Sequence, residues 1–151
     1  MLRGDFEDPA TGALRPSAMP IRMDRELVWA RELRITVAVV IFQLYGTGQV
    51  EGFQMLRKRM RAHELLFVEG RDRCIVTLWD VQPEGVALAI ARLGDIILSG
   101  GASPTIDVGA ALFPTDSANG DRSLLLEVAA SRFRPWQDYV DAVSGASDPE
   151  T

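Results

Sequence analysis

Residues Arg34 to Leu44 read Arg-Ile-Thr-Val-Ala-Val-Val-Ile-Phe-Gln-Leu, a stretch that is β-branched and nearly all apolar. β-Branched side chains favour strands, and a strand without a polar face has to be covered on both sides. The segment therefore directs the chain towards a layered fold, with a sheet between helices. Its apolar part, Ile35 to Leu44, is about half of the roughly 20 residues needed to cross a bilayer, so no membrane role is expected of it.

The flanking segments supply the layers. Asp8-Pro-Ala-Thr-Gly-Ala-Leu-Arg-Pro16 is a turn punctuated by Pro and Gly, and it leads into a helix that Ser17 is placed to cap. Met23, Leu27 and Ala30 give that helix an apolar side. Gly46-Thr-Gly48 ends the strand, and a second helix is predicted from about Gln49 to Arg61, with Val50, Phe53, Leu56 and Met60 on one face. Glu64–Glu69 and Cys74–Asp80, separated by Gly70-Arg71-Asp72-Arg73, read as a β-hairpin. A helix then starts near Pro83, and Val86, Ile90, Leu93 and Ile97 are spaced for burial. Thr105–Phe113 is a further strand, with Ile106, Val108, Ala110 and Leu112 on one face. Pro114 closes it, and Leu124, Leu125, Val128 and Ala129 mark a last helix.

The expected fold is thus α/β (α+β): a mixed β-sheet containing a hairpin, flanked by helices. The domain is expected to span 8–133, with 134–151 a partly disordered C-terminal tail in which Trp136 and Tyr139 are able to dock on the body. The 151 residues suit one domain, and 47% hydrophobic against 25% charged residues exclude a wholly disordered chain. A net charge of −5 argues against nucleic-acid binding. The lone cysteine, Cys74, excludes an internal disulfide and a multi-cysteine zinc site, and no cofactor is expected. Met1 to Asp8 is acidic and carries no apolar leader, so a cytoplasmic protein is expected.

With these elements in this order, the chain resembles a GGDEF domain, the family of bacterial diguanylate cyclases, from about Asp8 to Phe133. The opening Asp8-Pro-Ala-Thr-Gly-Ala-Leu-Arg15 is similar to the family's D-x-L-T-G-L-x-N-R. Val108-Gly-Ala-Ala-Leu-Phe-Pro114 resembles its late S-I-G-V-A-x-Y/F-P strand. Where the family writes G-G-D-E-F, this chain has Gly70-Arg71-Asp72-Arg73-Cys74. The resemblance implies an acid at the fourth position to hold a divalent metal; Arg73 is a fixed cation there. Arg71 replaces the glycine that lets the nucleotide approach the backbone. The family's second metal carboxylate lies in a D-x-D-x-F pattern at the end of the first strand, and this chain has Gln43-Leu44-Tyr45-Gly46. The following F-K-x-x-N-D segment with its guanine-reading Asn is absent. Phosphoryl transfer of this kind depends on metal-held phosphates, so no cyclase activity is expected.

Arg61-Ala62-His63-Glu64 stands where the family often carries its R-x-x-D product-inhibition motif, at the same spacing from the hairpin turn. An Arg can donate twice to guanine O6 and N7, and a carboxylate can accept from N1 and N2. The plainer reading is two solvated residues at a helix end and a strand start. Arg92 is a further conceivable contact for cyclic di-GMP. Arg57-Lys58-Arg59 with Arg61 is a basic cluster that suits the C-terminal end of a helix dipole. The only histidine, His63, has no recognisable nucleophile beside it. Cys74 is expected to be buried, and Asp107 to pair or to face water. Trp29, Trp79 and Trp136 suit either core or interface. The function expected is an inactive regulatory module in bacterial signalling that contacts a protein partner, a second copy of itself in a homodimer included. The alternative is a cyclic di-GMP receptor built on Arg61 and Glu64.

Overall fold

A computed structural model describes residues 7–61, 64–101 and 103–146. After a short 3₁₀ turn at Pro16–Ala18, the order is α1 (Met19–Leu33), β1 (Val37–Tyr45), α2 (Gln49–Arg59), β2 (Leu65–Glu69) and β3 (Arg73–Trp79). A second 3₁₀ turn at Pro83–Gly85 leads into α3 (Val86–Leu98). Then follow β4 (Thr105–Phe113), α4 (Arg122–Ala130), β5 (Arg134–Pro135) and α5 (Trp136–Ala146). The sheet order is β2-β3-β1-β4-β5, with β1 in the middle as its composition requires.

Alternation along β1 divides the core in two. Ala38, Val40, Phe42 and Leu44 face one cluster, packed with Phe53 and Leu56 of α2 and Ile90, Leu93 and Ile97 of α3. Val37, Val39 and Ile41 face the other, against Met23, Leu27 and Ala30 of α1 and Leu125 and Ala129 of α4. The apolar run is thus covered on both sides. No helix among the described residues is long and apolar enough to cross a membrane.

Three expectations are corrected. All four strand ladders are antiparallel, and the mixed character of the sheet is confined to one isolated parallel bridge between Leu14 and Phe67. Ser17 caps nothing: α1 begins after Ala18 with no side-chain cap, because Pro16–Ala18 winds into the helix as a 3₁₀ turn. The segment after Phe133 is not a tail, since 134–146 adds β5 and α5 to the body. Trp136 Nε1 donates to Ile90 O at 3.1 Å and the buried Tyr139 hydroxyl donates to Val108 O at 3.0 Å. Residues 147–151 of the expected tail, and His63, lie outside the described residues.

Candidate functional site

The opening turn is held by its own side chains. Asp8 Oδ2 accepts from the Thr11 amide at 3.0 Å and from the Thr11 hydroxyl at 2.7 Å, and Thr11 Oγ1 accepts from the Ala13 amide at 3.2 Å. Asp and Thr favour such turns because their short side chains reach nearby backbone. Backbone bonds from Leu14 N to Leu66 O and from Val68 N to Leu14 O, both 2.9 Å, stitch the turn to β2. From the other side, α2 holds it through Gln54 Nε2 to Ala10 O at 2.7 Å and Arg57 Nε to Gly12 O at 3.1 Å.

Between this turn, α1, the end of α2 and the start of β2 lies a cavity of about 430 Å³. That is within the roughly 300–1,000 Å³ typical of ligand pockets. Arg61 and Glu64 both line it, so the structure brings together the two residues that the sequence pairs. Glu64 Oε1 accepts from the Arg61 amide at 3.0 Å, which ties the two residues together. Leu14, Met60, Leu65 and Leu66 supply apolar wall. Arg22 of α1 and Arg57 of α2 also line the cavity. Arg57 was legible only as one of a basic run, and Arg22 carried no signal, because its place depends on how α1 packs on the rest of the fold. Arg92 is exposed on α3 and lines no part of this cavity.

At the far end of β1, the hairpin turn is tied to the strand. Leu44 N donates to Asp72 O at 2.7 Å, and Gln43 Nε2 donates to the same oxygen at 3.3 Å. Arg73 Nε donates to Gln43 Oε1 at 2.8 Å, its cross-strand partner in the register. The Arg73 guanidinium lies 5.5 Å from the Phe133 ring centroid and 3.9 Å from Glu69. Gly70 turns the chain with a φ of 66°, and Arg71 and Asp72 are exposed. An amide and a guanidinium bonded to each other do not suit a divalent cation, which seeks carboxylate oxygens. Asp107 is half-buried beside Gln43 in the register and forms no ion pair with a described residue.

Of the remaining candidates, Cys74 is fully buried and its thiol pKa is pushed up by burial, so it is held as the thiol. Trp79 and Trp136 are half-buried, whereas Trp29 is 46% exposed with the Arg25 guanidinium 5.1 Å from its ring centroid. Ile21, Val28 and Leu33 of α1 are exposed as well.

The sequence matches no protein-family profile and no curated protein. Solved structures do match. The GGDEF domain of YfiN (TpbB) from Pseudomonas aeruginosa is 21% identical, covers 82% of this chain and 84% of its own, and has a TM-score of 0.65. A sensory box/GGDEF family protein from Caulobacter crescentus is 18% identical with a TM-score of 0.69, covering 84% of this chain and 97% of its own. The GGDEF domain of DgcB from Caulobacter crescentus, solved in complex with c-di-GMP, is 15% identical with a TM-score of 0.69 over 93% of this chain and 89% of its own. The chain has the GGDEF-domain fold.

Proposed function

We propose that this GGDEF-fold chain is a bacterial signalling module that acts by binding and not by turnover. The observation that carries the reading is the Arg73–Gln43 hydrogen bond of 2.8 Å, which joins the two positions where the resemblance implies metal-holding carboxylates. Without a metal to share the phosphate charge, the transition state of phosphoryl transfer has no matching stabilisation. The apolar side chains exposed on α1 support contact with a protein partner. Purified protein given GTP with Mg²⁺ or Mn²⁺ should form no cyclic dinucleotide above the no-enzyme blank; steady product formation overturns the proposal.

A second reading is favoured by the shared cavity of Arg61 and Glu64. There the chain takes cyclic di-GMP, the ligand in the DgcB complex, by its guanine edge. Isothermal titration should give micromolar or tighter binding. Arg61→Ala should weaken it by tenfold or more, the effect of losing a charge-assisted hydrogen bond of roughly 1.5–3 kcal/mol. Undiminished binding by that variant would remove Arg61 from the site.

A further inference from the structure

The cavity beside the opening turn carries more positive charge than a guanine edge requires. Arg61 and Glu64 suffice to read one base, yet Arg22 and Arg57 line the same space. Arg22 Nε is buried and has no hydrogen-bond partner among the described residues. Buried donors are nearly always paired in folded proteins, so a donor left waiting beside a cavity points to an acceptor that arrives with a ligand. Arg57 spends its Nε on Gly12 O. The ion pairs among the described residues, Arg73–Glu69, Arg122–Asp24 and Arg132–Asp116, all lie elsewhere. Two acids, Glu7 and Glu64, line the cavity against these three arginines, and Glu64 is already engaged by the Arg61 amide.

We infer that Arg22 and Arg57 form a phosphate subsite, so that the cavity takes a phosphorylated nucleotide and discriminates against the bare nucleoside. This deepens the cyclic di-GMP reading and rests on it for the identity of the base. A guanidinium suits a phosphate well, because its planar fork presents paired N–H donors that match two phosphate oxygens, and it stays charged at any working pH. The elements also divide the labour. Arg61 and Glu64 come from the link between α2 and β2, whereas Arg22 comes from α1, a separate wall of the same cavity. A base held by the first pair would therefore present its phosphates towards the second.

The test is isothermal titration of the full chain with cyclic di-GMP, guanosine and inorganic pyrophosphate. Arg22→Gln, Arg57→Gln, Arg22→Lys and Arg61→Ala are run beside the parent, with thermal melts to show that each folds. The expected result is guanosine at least tenfold weaker than cyclic di-GMP. Arg22→Gln should lose tenfold or more for both cyclic di-GMP and pyrophosphate, and Arg22→Lys should recover part of that loss. If guanosine binds as tightly as cyclic di-GMP, or Arg22→Gln and Arg57→Gln bind like the parent, the subsite is refuted while the Arg61–Glu64 reading stands. Pyrophosphate binding that needs Arg22, with no cyclic di-GMP binding, would keep the subsite and remove the guanine reading. Silence with every ligand overturns both.

Discussion

Beyond Val108 the outer edge of β4 has no strand beside it among the described residues, because β5 pairs only with Asp107 and Val108. Two side chains take the place of the missing neighbour. Asp116 Oδ2 accepts from the Leu112 amide at 2.7 Å, and Arg132 donates to both carboxylate oxygens, at 2.8 and 3.0 Å, and to Ala110 O at 3.2 Å. An open edge is a template for unwanted pairing, and this ion pair covers part of it. The Arg132 hydrogen bond holds the Asp116 carboxyl below its ordinary pKa. A carboxyl depressed in the folded state stabilises it above the unfolded pKa, near 4, and that gain is lost as pH falls through the folded value. Asp116→Asn should therefore cost about 1–2 kcal/mol at pH 7, towards the low end because the Arg132 side chain is 50% exposed. Urea melts should show the gap narrowing as the pH drops below 4; a gap that ignores pH would mean the charge is irrelevant. Neither residue stands out in the sequence. They are 16 positions apart, and the fold alone brings them together.

At the scale of elements, what was local was legible. β4 occupies the residues expected of it, and β1 to β3 differ from expectation only at their ends, because β-branched runs and a Gly-led turn are local signals. α5 was missed although its pattern was there: Trp136, Tyr139, Val140 and Val143 fall at i, i+3, i+4 and i+7. The small and polar residues around them obscured it. Its docking rests on a close approach, since a Cβ on Gly94 of α3 would stand 2.0 Å from Trp136 Nε1. Gly94→Ala should cost roughly 1–3 kcal/mol by overpacking, and Trp136→Ala a similar amount by lost burial. Because they act on one contact, the double variant should fall short of the sum by about 1 kcal/mol or more in chemical denaturation. Strict additivity would place the Gly94 effect somewhere other than Trp136.

For the molecule as a whole, the boundary expected at Phe133 becomes a prediction with the opposite sign. A chain ended there loses Trp136 and the buried Tyr139 from the cluster that α2 and α3 share with β1. The loss should amount to about 3–5 kcal/mol and lower the melting temperature by roughly 10–20 °C; an unchanged melt would make α5 dispensable. The candidate site followed the same division between near and far. Arg61 and Glu64 were readable because they are three positions apart, whereas Arg22 joins them only through the tertiary placement of α1. Cys74 lies between Phe42 of β1 and Val68 of β2 in the sheet, fully buried and protonated. Thiol reagents attack the exposed thiolate, so in the native state this sulfur should be silent. It becomes reactive only when β3 parts from its neighbours. With a single cysteine in the chain, the rate at which a thiol dye attaches is a direct clock for opening of the sheet, readable without any engineered probe.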